Sequence, residues 1–137
     1  MSKISKQIIV VRTDLRNSNG NKIRTGKISA QCAHASLAAL FNAGGLTNNN
    51  LTIPLPNGTA INDWIHGRFT KVCVSVDSEK ELIDVYEAAV KAKLICALIT
   101  DAGLTEFNGV PTKTCCAIGP EWSDEIDKIT GHLKLLK

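Results

Sequence analysis

The chain has 137 residues, of which 44% are hydrophobic and 21% charged, a balance that fits one soluble domain, spanning 1–137, with a real core. No apolar run approaches the roughly 20 residues a bilayer span requires, and Met1 to Gln7 lacks the apolar centre of a secretory leader, so no membrane association is expected and the location should be cytoplasmic. The net charge of +3 is small but segregated: residues 1 to 27 hold seven cations (Lys3, Lys6, Arg12, Arg16, Lys22, Arg24 and Lys27) against Asp14 alone, so the rest of the chain is acidic. Such an edge suits a phosphate backbone, and as a bare charge asymmetry it equally suits solvent.

In chain order, Gln7 to Arg12 is a short β-branched run followed by the polar stretch Asn17 to Asn21, which predicts a strand and a loop. A helix should begin near Gly26 or Lys27 and stop at Gly44 and Gly45. On it, Lys27, Gln31 and His34 recur at i, i+4 and i+7, one polar stripe that could line a cleft. Beside them Ala30, Ala33, Leu37, Leu40 and Phe41 form the apolar set expected to face the core. Leu46 to Gly58, rich in Asn with Pro54 and Pro56, reads as a surface excursion, and Ala60 to Ile65 as a short helical turn around Trp64.

Lys71 to Val76 is a second strand, and Ser78 with Glu81 three residues on marks the start of a helix to about Lys91, with Leu82, Val85, Tyr86 and Ala89 inward. Leu94 to Thr100 and Thr114 to Ile118 are the third and fourth strands, with Thr105 to Pro111 in the loop between them. A last helix spans about Ser123 to Thr130 and ends at Gly131; its acidic first turn complements the helix dipole. Strand and helix alternation predicts an α/β fold with crossover connections and a largely parallel sheet covered on both faces; the fourth strand, reached by a short loop, should be antiparallel.

Open α/β sheets place ligands beyond the carboxyl ends of their strands, so Lys27, after the first strand, and Asp101, after the third, should converge. Gly20 to Lys27 occupies the place of a phosphate-binding loop, but Asn21 stands where GxxxxGK[ST] needs glycine and Ile28 where it needs a hydroxyl, which makes a nucleotide hydrolase improbable. The five cysteines form no CxxC and no zinc-ligand spacing with histidine, so neither a metal nor another cofactor is expected, and they read as small buried hydrophobes. Aromatic content of 4% argues against single-strand recognition by base stacking.

Five pieces, taken together, resemble the type 2 peptidyl-tRNA hydrolases of archaea and eukaryotes. They are IIVVRTDL from Ile8 to Leu15, GKISAQCAHA from Gly26 to Ala35, DAGLT from Asp101 to Thr105, Thr114 with Ile118-Gly119-Pro120, and IDKITGHLKL from Ile126 to Leu135. The resemblance covers nearly the whole chain. It implies a three-layer α/β/α sandwich with a four-stranded mixed sheet, peptidyl-tRNA as substrate, a homodimer, and cleavage of the ester between the peptide and the terminal ribose.

By motif, it carries catalytic positions to Lys27, Asp101, Thr105 and Thr114. Gln31 and His34 become substrate contacts, and Arg12 and Arg24 in the basic segment are expected to hold substrate as well. In this reading Asp101 holds the attacking water and orients Lys27, whose ammonium meets the developing oxyanion; His34 stays open as a general base. The bland alternatives are Lys27 as a phosphate contact, Asp101 as a turn cap and Thr114 as an ordinary strand residue. Leu104 stands where members commonly have arginine, the loop from Thr105 to Thr114 is one residue longer than usual, and Leu46 to Asp63 differs in length and character. Those departures keep a second function in view, a tRNA-binding relative without efficient hydrolysis or with altered specificity.

Overall fold

The structure, a computed structural model, describes residues 3–103, 107 and 109–137. Its elements are β1 (Ser5–Arg12), α1 (Thr25–Ala43), β2 (Gly45–Thr47), β3 (Asn50–Thr52), α2 (Ala60–His66), β4 (Lys71–Val76), α3 (Glu79–Lys91), β5 (Cys96–Asp101), β6 (Thr112–Trp122), α4 (Ser123–Thr130) and β7 (Lys134–Leu135). None of the helices described is long and apolar enough to cross a membrane.

The main sheet is mixed and five-stranded, ordered β5-β6-β1-β4-β7. The two-residue β7 extends the expected four strands by pairing antiparallel with β4, Val74 opposite Leu135. Only β1 and β4 pair in parallel; β6 lies antiparallel between β1 and β5. The three strands expected to share a direction, β1, β4 and β5, do so and β6 opposes them as expected, but β6 enters between β1 and β5 and leaves a single parallel pairing; its composition gives the reason. Its centre, Cys115, Cys116, Ala117 and Ile118, is wholly buried, so both faces need cover and both edges need partners, which a central strand alone obtains. The strand also runs past the predicted end at Ile118, through a cis Gly119-Pro120 bond. Gly119 has φ +100°, and a Cβ there would lie 2.7 Å from the Lys6 carbonyl oxygen.

Alternation along β1 supplies both cores. Ile8 and Val10 join Val74, Val76, Leu82, Val85, Ala89 and Ile126 beneath α3 and α4. Ile9 and Val11 face α1 with Ala97, Cys115 and Ala117. The Ser78 side chain caps α3 by accepting from the Glu81 N–H. Gln7 is fully buried and satisfied: its Nε2 donates to the carbonyls of Ser36 and Gly119 at 3.2 Å each, and its Oε1 accepts from the Ser36 hydroxyl at 2.5 Å. That one amide ties β1, α1 and β6 together.

The expected inward face of α1 is corrected. Of Ala30, Ala33, Leu37, Leu40 and Phe41, only Leu40 is buried; Leu37 is 51% and Phe41 46% exposed. The buried set is Gln31, Ala35, Ala39 and Leu40. Small residues face one another here, Ala35 and Ala39 on the helix and Ala97, Cys115 and Ala117 on the sheet, and this lets the helix sit close. Gln31 is drawn into the interior, where it finds polar partners.

The excursion after α1 contains a hairpin absent from the sequence reading. β2 and β3 pair through Leu46 opposite Leu51, and the turn residues Asn48 and Asn49 have φ of 51° and 62°. Asparagine tolerates that left-handed region, and two such residues between strands give the tight primed turn of a two-residue hairpin. Thr59 then caps α2, whose Trp64 is fully buried and donates from Nε1 to the Thr70 carbonyl at 2.7 Å.

Candidate active site

The carboxyl ends of β1 and β5 lie at the same edge of the sheet, and α1 starts beside them. Lys27, in the first turn of α1, places its Nζ 2.6 Å from Oδ2 of Asp101, the last residue of β5. The side chains are 15% and 8% exposed, so solvent screens the pair only weakly. Gln31, one turn further on, donates from Nε2 to the same Oδ2 at 2.8 Å, and the Gly103 backbone N–H donates to Oδ1 at 2.6 Å. The last bond closes a tight turn after the strand. Gly103 has φ +83°, and a Cβ would run into the backbone of Val110, so glycine is required there.

Three donors, led by the Lys27 ammonium, hold the Asp101 carboxyl below the usual carboxylate range against the opposing cost of burial. Asp101 is an anion at neutral pH and a weak base. A carboxylate has about four acceptor positions, so one remains for a further donor.

Thr114 reaches the site through an irregularity of β6. Ile99 pairs with Cys115 and Thr100 with Lys113, so Thr114 is the extra residue of a β-bulge. In a regular strand adjacent side chains point to opposite faces; the bulge turns both Thr114 and Cys115 toward α1. Thr114 Oγ1 donates to Gln31 Oε1 at 2.8 Å, and Cys115 Sγ lies 3.3 Å from the Gln31 carbonyl oxygen. The threonine hydroxyl fixes which end of the Gln31 amide faces Asp101. The result is a chain of directed hydrogen bonds from Thr114 through Gln31 to Asp101, with Lys27 at its end.

Beside this chain lies a cavity of about 20 Å³ lined by Lys27, Gln31, Thr114 and Arg12 among Val11, Leu15, Ile23, Ile28 and Phe107. That is room for about one water with polar partners on one side and apolar walls on the other. The Phe107 ring is buried, its centroid 5.9 Å from Lys27 Nζ. A second hollow of about 100 Å³ shares Val11, Arg12, Leu15, Ile23 and Ile28 with the first and continues to Arg16, Lys22 and Lys137.

The structure brings Lys27, Gln31, Asp101 and Thr114 together. His34 is exposed and makes no hydrogen bond to them among the described residues. Thr105, and Leu104 with it, lie outside the described residues. Arg12 lines both hollows, but it is engaged: Nε and Nη2 bind Asp14 at 3.0 and 2.7 Å, and Nη1 donates to the Lys113 carbonyl. Arg24 is the exposed residue capping the start of α1. Phe107 and Cys115 were missed by sequence reading. Phe107 gave no spacing signal, and Cys115 reaches α1 only because of the bulge.

The cysteines are free, and burial pushes the Cys32 thiol up to about 12 and Cys115 up to about 11, far from the range of a thiolate nucleophile. Among the described residues, no three His, Cys, Asp or Glu side chains are grouped to hold a metal ion.

An amine, a carboxylate and an amide, all largely shielded from solvent, are joined at the carboxyl edge of an α/β sheet beside a cavity of water size. Residues 5–136 match the family model described as Peptidyl-tRNA hydrolase PTH2. A peptidyl-tRNA hydrolase of Methanocaldococcus jannaschii is 41% identical over 131 residues, which cover 96% of this chain and 99% of the relative. One of Methanopyrus kandleri is 39% identical with 96% and 98% covered. A probable peptidyl-tRNA hydrolase 2 of Drosophila melanogaster is 36% identical, and there the match covers 61% of the longer relative. Among solved structures, a protein of unknown function from Agrobacterium shares the fold, with a TM-score of 0.50 at 13% identity over 97% of this chain and 98% of that one. The chain belongs to the PTH2 family of peptidyl-tRNA hydrolases.

Proposed function

We propose that this protein is a hydrolase of peptidyl-tRNA that works in the cytoplasm, as a homodimer, through a single domain over 1–137 built as a three-layer α/β/α sandwich. The observation that carries the catalytic reading is the Lys27 ammonium held at 2.6 Å by a carboxylate that also binds Gln31, within a chain of this family.

The reaction is acyl transfer to water. A water oxygen adds to the ester carbonyl carbon, negative charge gathers on the carbonyl oxygen, and the bond to the ribose oxygen breaks. The proton lost by the water ends on that ribose oxygen, giving tRNA and a free peptide. Lys27 is the donor to the oxyanion, held in place before the charge develops, so little reorganisation is needed as it forms. Asp101 fixes the ammonium, and its remaining acceptor position holds the attacking water in or beside the small cavity. Its depressed pKa fits a water-orienting role better than full proton abstraction.

Gln31 and Thr114 act through Asp101 as positioning residues, with Thr105 beside the water or the ester. His34, Arg12 and Arg24 contact the substrate outside this core. Arg12 is held rigid by Asp14 as a wall of the cleft.

The test is release of tRNA from an N-acetylated aminoacyl-tRNA, with unblocked aminoacyl-tRNA and Asp101→Asn alongside, each with and without a chelator. Cleavage of the blocked substrate alone, lost in the variant and indifferent to chelation, is the expected result. Undiminished tRNA binding with no cleavage would make the protein a binding relative instead.

A further inference from the structure

The loop between β1 and α1 is ordered by its own hydrogen bonds. Asn17 Oδ1 accepts from the N–H groups of Asn19 and Asn21 at 2.9 and 3.0 Å, and the backbone closes from Asn17 N to Asn21 O at 2.9 Å. Gly20 takes the left-handed conformation at the tip, with φ +79°. This small hairpin pairs Arg16 with Lys22 as antiparallel partners. Two cations directly opposite each other on paired backbone destabilise an isolated hairpin.

The charge of Asp14 reaches Arg16, but without an ion pair between them. Among the described residues, Arg16 and Lys22 make no ion pair, and the nearby carboxylate, Asp14, is taken in a two-pronged bond by Arg12. Arg16 is also positioned, its Nη1 donating to the carbonyls of Thr13 and Leu15 at 3.2 and 2.9 Å. Both cations line the hollow of about 100 Å³, which shares five lining residues with the cavity at Lys27. Two opposed cations with no ion pair among the described residues, at the edge of a hollow that adjoins the catalytic cavity, offer a place for a further anion.

We propose that Arg16 and Lys22 form a phosphate subsite for the single-stranded 3′ end of the tRNA, so that the nucleotide chain enters over the 13–24 loop and the ester falls at Lys27. The inference rests on the hydrolase reading and adds direction to it. The phosphates of the terminal nucleotides are the anions covalently nearest the ester, and the cationic hollow opens directly off the site where the ester is cleaved. The peptide then leaves on the side of the cleft away from Arg16 and Lys22. Arginine supplies planar paired donors to phosphate oxygens and lysine a point charge.

The experiment compares R16A/K22A with wild type on three N-acetylaminoacyl esters: that of full tRNA, that of the trinucleotide CCA, and that of adenosine, which carries no phosphate. KM for both phosphate-bearing esters is expected to rise about tenfold or more with kcat changing little, and their advantage over the adenosine ester in kcat/KM to fall by the same factor. The slope of log KM against log salt for the trinucleotide ester should become shallower by about 1.4, two single-strand phosphate contacts at roughly 0.7 each. R16K/K22R should recover most of the loss, which a misfolded loop would not allow. A rise in KM for full tRNA only would place the contact on the tRNA body and overturn the proposal, as would unaltered KM on the trinucleotide ester. Wild-type protein that cleaves none of the three esters would overturn the hydrolase reading and this inference with it.

Discussion

Two adjoining regions at the same sheet edge are built on opposite principles. Around Asp101 the charges are matched and half-hidden, with one carboxylate receiving Lys27, Gln31 and the Gly103 N–H. In the 13–24 loop Arg16 and Lys22 are exposed antiparallel partners, and among the described residues neither makes an ion pair, Asp14 being held by Arg12. The first arrangement is complete without substrate and fixes geometry, as transition-state stabilisation requires. The second is completed by an anion and governs affinity. Mutations should therefore separate kcat from KM along this boundary.

The largest effect is expected inside the matched region. Lys27→Ala should lower kcat on the order of a hundredfold to a thousandfold while KM changes little, as read in steady-state cleavage of N-acetylaminoacyl-tRNA. A loss below about fivefold would reduce Lys27 to a phosphate contact and erase the contrast with the loop.

Next come the residues behind it. Thr114→Val leaves Gln31 Oε1 buried without its donor, which costs roughly 1–3 kcal/mol, so kcat should fall about tenfold. Gln31→Ala should fall by a comparable factor, and the double variant no further than the worse single one. Additive losses in that double-mutant cycle would show that the two side chains act separately.

A third expectation concerns pH. The folded-state pKa of Asp101 is depressed, so its contribution to stability and to orienting Lys27 is present above the unfolded value of about 3.9 and is lost as pH falls through the lower folded value. The Asp101 carboxylate should stay ionised throughout pH 5–7. A kcat profile with an acidic limb in that range that disappears in His34→Ala would instead move proton abstraction to the histidine.

The smallest effect lies away from both regions. Ser78→Ala removes the cap of α3, a side-chain bond of 3.1 Å to the Glu81 N–H, and should cost about 1 kcal/mol in urea unfolding with kcat and KM unchanged. A matching loss of activity would show that the site depends on global stability more than on local fixing.

Much of this organisation is legible in the chain itself. The ends of α4 and β4 coincide with their composition signals, Ser78 with Glu81 marks the start of α3, and the order of strands and helices brings Lys27 and Asp101 to one edge. Those features follow from local chemistry: caps, glycine stops and apolar period. The amphipathic reading of α1 failed because it counted large apolar residues as the inward face. The helix turns its alanines inward instead, and Leu37 and Phe41 remain outside.

The sequence by itself determined the four helices and the positions of β1, β4, β5 and the core of β6, the segregation of positive charge into the first 27 residues and the meeting of Lys27 with Asp101. Only the tertiary structure decided that β6 enters between β1 and β5, that its bulge turns Thr114 and Cys115 to the same side, and that Gln31 is buried between Thr114 and Asp101. The physical reason is range. Capping and periodicity act within a few residues of chain, whereas the partners of Gln31 lie 70 and 83 positions away and are chosen by which buried polar groups can satisfy one another once the sheet has closed.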